Sequence, residues 1–74
     1  MDNLLNRITN DPDLCGGRPI IRGMRIRVVD VLDLLSNGLT PEQIINELPY
    51  LELDDIKAVL QYASLKFDHP VFTS

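Results

Sequence analysis

The stretch Ile8 to Val28, ITNDPDLCGGRPIIRGMRIRV, decides how this chain folds. Within it, Arg22-Gly23-Met24-Arg25 separates two short apolar-rich runs. A glycine at the first central position of a two-residue loop fits a type II′ hairpin turn. With Gly23-Met24 as that loop, Arg22 faces Arg25, Ile21 faces Ile26, Ile20 faces Arg27 and Pro19 faces Val28. Side chains alternate along a strand. Ile21, Ile26 and Val28 therefore share one face, and Arg18, Arg22, Arg25 and Arg27 share the other. Like charges directly opposite each other destabilise a hairpin, so the cationic face calls for something anionic. Either it meets phosphates or a partner's carboxylates, which the planar guanidinium fork holds bidentately, or it is matched by this chain's own Asp11, Asp13 or Asp30.

Charge is uneven around this stretch. Residues 1–28 hold Arg7, Arg18, Arg22, Arg25 and Arg27 against three acids, a balance of +2. Residues 29–74 hold Lys57 and Lys66 against eight acids, a balance of −6, and the two parts sum to −4. Such polarity predicts two surfaces with different partners, or simply a soluble acidic protein. Seventy-four residues make one small domain, read as an arm and hairpin over 1–28, a three-helix unit over 29–68 and a tail over 69–74. A domain of this size buries only about 60% of its unfolded surface and is marginally stable by itself. No apolar run approaches the roughly 20 residues of a membrane span. The first residues, MDNLLNRITND, lack a basic segment leading into an apolar one, so no secretory signal is expected. The single Cys15 has no intramolecular partner and fits a reducing cytoplasm.

Downstream of the hairpin, the pattern predicts three helices. The first runs from about Val29 to Asn37, with Val31, Leu32, Leu34 and Leu35 inward and Asn37-Gly38 as a left-handed stop. The second has Thr40 as N-cap, Pro41 at the first helical position, Gln43 closing a capping box, and Leu39 and Ile44 as a hydrophobic staple. It ends at Pro49. The third runs from about Leu53 to Lys66, with Leu51 and Ile56 as a second staple and Ile56, Leu60, Ala63 and Phe67 as its inward stripe. The fold class is thus mostly α: an N-terminal arm and β-hairpin, then a tri-helical helix-turn-helix bundle of homeodomain-like or winged-helix-like proportions.

Three sets of residues are candidates for function. The arginine face is one. The outward stripe of the third helix is the second: Lys57 and Gln61 can donate to bases or phosphates, while Asp54 and Asp55 at its start favour the helix but repel a phosphate backbone. The third is apolar surplus. Val59, Tyr62, Leu65, Val71 and Phe72 exceed what a short three-helix core needs, and predict a homodimer through the third helix and tail; the alternative is a tail that folds back to close the monomer core. Catalysis finds no support. Cys15 and His69 are too few for a zinc site, no Ser–His–Asp signature surrounds His69, and Gly16-Gly17 serve to bend the arm. No metal or cofactor is expected.

The run I-T-x-D-P-x-x-C-G-G-x-P-x-I-R-G-x-R-I from Ile8 to Ile26 has a recognisable form. It continues into Asn37-Gly38, Leu39-Thr40-Pro41-Glu42-Gln43-Ile44 and Asp55-Ile56-Lys57-Ala58-Val59-Leu60-Gln61-Tyr62-Ala63. It resembles the bacterial family numbered 433 among the domains of unknown function, regarded as VapB-like antitoxins with a helix-turn-helix core. The likeness extends from about Ile8 to Ala63. It implies a non-enzymatic antitoxin that neutralises a PIN-like ribonuclease toxin by binding and represses its own operon through DNA. Two alternatives remain: a stand-alone helix-turn-helix regulator, or a dimerisation or adaptor module that binds no DNA. Two positions depart from the family pattern. Arg27 stands where relatives often carry Pro, and Glu52 where they tend to carry Thr or Ser as a helix cap.

Overall fold

The computed structural model of the chain describes residues 3–66. A 3₁₀ turn at Leu4–Arg7 leads into strand β1, Ile8–Thr9, and a loop returns as strand β2, Ile20–Ile21. Three helices follow: α1 at Val28–Ser36, α2 at Pro41–Glu47 and α3 at Leu53–Lys66. None of the described helices is long and apolar enough to cross a membrane. The architecture is the expected one, an arm with strand pairing followed by a mostly helical body.

The hairpin keeps its predicted cross-strand partners but not its predicted turn. Ile21 N–H donates to the Ile26 carbonyl at 3.0 Å, Val28 N–H donates to the Pro19 carbonyl at 3.0 Å, and Ile20 pairs with Arg27. The turn, however, is centred on Arg22-Gly23 rather than Gly23-Met24. Met24 N–H closes it onto the Ile21 carbonyl at 2.8 Å, and both central residues have positive φ, 47° and 71°. That is the signature of a type I′ turn, whose twist matches paired strands. It puts a non-glycine, Arg22, in the left-handed region.

β2 has a second neighbour that the hairpin reading lacked. β1 pairs with it antiparallel, Ile8 opposite Ile21 and Thr9 opposite Ile20. The Arg22 N–H extends this pairing to the Arg7 carbonyl at 2.7 Å, and Gly23 N–H reaches the Thr9 hydroxyl at 3.0 Å. Ile20 and Ile21 are both fully buried. Alternation along a strand puts them on opposite sides, so β2 has no open cationic side of the kind that strand parity alone predicts.

The helix boundaries follow local chemistry. Asn37 and Gly38 end α1 in a Schellman arrangement. Leu39 N–H returns to the Leu34 carbonyl at 3.2 Å and Gly38 N–H to Leu35 at 3.0 Å, with Gly38 at φ 94°. Thr40 caps α2, its hydroxyl accepting from Gln43 N–H at 3.2 Å while the Gln43 side chain accepts from Thr40 N–H at 2.8 Å. The core is aliphatic: Ile21, Ile26, Val28, Val31, Ile44, Leu51, Ile56 and Val59 form one cluster. Leu39 and Leu48 pack at its edge.

α3 is rotated relative to the expected stripe. Its buried residues are Asp55, Ile56, Ala58 and Val59, whereas Leu60 is 48% exposed and Ala63 is half-buried. Phe67 lies outside the described residues. The residues 4–9 that precede β2 pack along α3, and they draw the Asp55–Ala58–Val59 edge inward. Leu60, one residue off that edge, turns to the surface.

Candidate functional site

Among the described residues, the most densely connected polar cluster surrounds Asp55, whose side chain is 0% exposed. Asp55 stands at the third position of α3, where a carboxylate can reach back to the N-cap amide. Glu52 N–H donates to its Oδ2 at 2.8 Å. Arg22 then grips the same carboxylate bidentately, Nε to Oδ1 at 3.0 Å and Nη2 to Oδ2 at 2.8 Å. Arg7 Nη1 donates to Oδ1 at 3.0 Å and to Glu52 Oε1 at 2.8 Å, and its Nη2 lies 3.7 Å from Asp54 Oδ2. Arg22 Nη2 also donates to the Tyr50 carbonyl at 2.9 Å. One carboxylate therefore ties the arm, the hairpin turn and the segment between α2 and α3 to the start of α3.

Electrostatics agree with this geometry. Burial pushes the Asp55 carboxyl upward. The bonds from Arg22, the Glu52 amide and Arg7 outweigh it, and hold the group below the usual carboxylate range. Arg22 is raised above its ordinary value chiefly by its bond to Asp55, and Arg7 by its bonds to Glu52 and Asp55. The cluster is fully satisfied: among the described residues no buried side-chain polar atom lacks a partner. A saturated carboxylate of this kind holds structure together and has no lone pair to spare for a ligand.

The four hairpin arginines divide into two pairs. Arg22 is bound to Asp55. Arg27 forms the N-cap of α1 and pairs with Asp30, Nη2 to Oδ1 at 2.8 Å and Nε to Oδ2 at 3.2 Å, while its backbone N–H donates to Oδ2 at 3.0 Å. These two are not parts of an open cationic face, because each meets a carboxylate of its own chain. Arg18 and Arg25 are exposed and make no ion pair among the described residues.

On α3, Lys57 and Gln61 are exposed together with Ser64, as the outward stripe requires. Exposed Leu53 and Leu60, at 44% and 48%, flank them, and exposed Tyr50 precedes them. Of the dimer candidates, Val59 is fully buried inside the single chain and is a core residue rather than a surface one. Tyr62 is half-buried and Leu65 exposed, while Val71 and Phe72 lie outside the described residues. Tyr62 forms one wall of an apolar trough of about 460 Å³, opposite Val29 and Leu32 of α1. Among the described residues no group of three or more His, Cys, Asp or Glu could hold a metal ion. His69 is not among those residues.

Arg7, Asp55 and the Tyr50 carbonyl are the site members that sequence reasoning missed. The signal for Asp55 lay in its spacing: three residues after Glu52, it holds the return half of a capping box. Arg7 carried no local signal.

A hairpin-bearing arm ahead of three short helices, with α2 and α3 joined by a turn of a few residues, defines a small helix-turn-helix type of module. The chain belongs to the family described as "Protein of unknown function (DUF433)", which matches residues 8–63. It is 34% identical over 56 residues to "Uncharacterized protein y4eO" of Sinorhizobium fredii (strain NBRC 101917 / NGR234), covering 76% of this chain and 25% of that protein. The chain thus spans a quarter of the length of that curated relative. The crystal structure of a DUF433 member protein from Anabaena variabilis ATCC 29413 superposes with a TM-score of 0.79 at 27% identity, covering 85% of this chain and 62% of that one.

Proposed function

We propose that this chain is an antitoxin-like binding protein, without catalytic activity of its own, that captures a PIN-like ribonuclease in the cytoplasm and represses its own operon through α2 and α3. The carrying observation is the outward face of α3. Leu53 and Leu60 stand half-exposed on either side of Lys57, and Leu53, Leu60 and Gln61 all lie at the three- and four-residue spacings from Lys57 that make neighbours on a helix. An apolar stripe threaded with donors fits a protein partner, whose interface core is apolar and whose rim is polar. Part of the negative charge at the head of α3, which opposes the DNA half of the reading, is offset within the chain: Arg7 and Arg22 tie Asp55, and Arg7 also contacts Glu52 and Asp54.

Co-expression with a PIN-like nuclease encoded by an adjacent reading frame tests the proposal. The two proteins are expected to co-elute in size exclusion and the nuclease to be silenced. The double variant Leu53→Asp, Leu60→Asp is expected to lose co-elution while a cooperative melt shows that it is still folded, since both side chains are about half exposed. Independent elution at micromolar concentration overturns capture of that nuclease. A second reading, a stand-alone regulator, draws on the exposure of Lys57 and Gln61, and on exposed Arg18 and Arg25, which make no ion pair among the described residues. It requires binding to a palindromic DNA site that weakens steeply with salt, with Lys57→Ala lowering the log–log slope by about 1.

A further inference from the structure

The apolar trough between α1 and α3 has a greasy floor and a cationic margin. Val29 and Leu32 of α1 face Tyr62 of α3 across it, and Arg18, Arg27 and Lys66 also line it. Arg27 is engaged by Asp30. Arg18 and Lys66 are exposed and make no ion pair among the described residues. The Lys66 ammonium sits 5.4 Å from the centre of the Tyr62 ring, a cation–π contact that holds the charge at the edge of the trough. Tyr62 and Lys66 also line a second hollow of about 310 Å³, with Leu5, Ile8 and Leu65. The two hollows adjoin across that pair, so the apolar surface is elongated and carries a cation at its middle. Among the described residues no Asp or Glu lines either hollow. In a chain of net charge −4, this is a local reversal of sign.

We infer that this surface docks an acidic amphipathic segment of another protein, with one apolar side chain in each hollow and carboxylates beside them for Arg18 and Lys66. Three features choose that occupant. The floor rewards burial of apolar area, so a purely ionic ligand leaves most of it uncovered. The charged side chains that line the hollows are all cations, and complementary charge selects the partner and speeds encounter. The surface also spans two hollows, and residues three or four apart on a helix present two anchors on one side. Nucleic acid is the poorer fit. Strand-binding surfaces stack successive bases on aromatic rings, and here the two hollows share a single ring, that of Tyr62. Contacts this small belong to the weak, transient class of interface. At 3.6 residues per turn, Lys66 lies on the opposite side of α3 from Lys57, so the docking does not rest on nuclease capture by the outward stripe.

Fluorescence anisotropy with the full chain tests it, using a labelled peptide of glutamates that carries two phenylalanines four positions apart. The expected result is micromolar binding that weakens as salt is added. Arg18→Glu and Lys66→Glu each weaken it by about tenfold, and Val29→Gln does the same with no change of charge. Exchanging the phenylalanines of the peptide for alanine, or its glutamates for lysine, abolishes binding. The double variant Arg18→Glu, Lys66→Glu then binds the lysine peptide instead, a gain that unfolding cannot produce. Circular dichroism melts confirm that each variant is folded. Absence of binding at millimolar peptide overturns the proposal, and so does binding indifferent to all three single substitutions. Displacement of the peptide by a polyuridylate strand of equal affinity and equal dependence on Arg18 and Lys66 assigns the trough to nucleic acid and overturns it too.

Discussion

Asp55 shows how a single buried side chain can join segments that lie far apart in the sequence. It is buried and charged, and it is stable there because four hydrogen bonds saturate it. Removing one partner of a buried ion pair leaves the other stranded. Asp55→Asn is expected to cost about 2–3 kcal/mol in urea denaturation, less than a fully buried pair, because both arginines keep some contact with water. The pH dependence has a definite sign. The folded-state pKa of Asp55 is lowered, as is that of Asp30 through its bond from Arg27. Groups of this kind contribute stability that is fully present above the unfolded carboxylate value, about 4, and is lost as pH falls through the lower folded values. The urea midpoint should hold steady at neutral pH and drop below about pH 4, with a shallower acid limb in Asp55→Asn. Arg22 adds a second point. Its φ of 47° is a strained conformation for a residue with a Cβ, and its three bonds to Asp55 and Tyr50 hold it there.

Among the elements, α2 and the end of α1 are those whose chemistry is entirely local, and they are the ones the sequence made plain. Thr40, Pro41 and Gln43 announce a helix start within four residues, and Asn37-Gly38 a helix end within two. Two predictions belong here. Gly38→Ala meets no atom within 4 Å of the added Cβ, so its cost is the backbone strain alone, about 1–2 kcal/mol. Thr40→Ala removes one half of the capping box, for about 1 kcal/mol. Chemical denaturation of each variant reads both. β1 shows the opposite case. Two residues, Ile8-Thr9, are too few for a period to be visible, and their partners lie more than ten positions away. α3 departs from its expected phase for a related reason. Val59 and Leu60 are both apolar, and the arm packed along the helix favours covering the edge that carries Val59. The hairpin turn slipped by one residue because Gly suits either central position, and the sequence alone favours a glycine over an arginine at positive φ.

At the level of the whole molecule, charge segregated along the sequence is mixed in space. The basic first third and the acidic remainder meet at the head of α3, where contacts spanning 33 and 48 positions join them. Nothing in a linear reading connects Arg7 to Asp55, so the open arginine face that strand parity predicts was reduced to Arg18 and Arg25. The surface that remains legible from sequence is the outward stripe of α3, because helical spacing fixes it once one inward residue is known. A practical corollary concerns domain boundaries. The segment shared with the family begins at Ile8, one position after the guanidinium that meets Glu52 and Asp55. A fragment cut to residues 8–63 would discard that guanidinium together with Leu65 and Lys66. It is expected to melt below the intact chain even though every core residue is retained. Limits drawn by likeness between sequences thus run through a unit that the ion pairs hold as one.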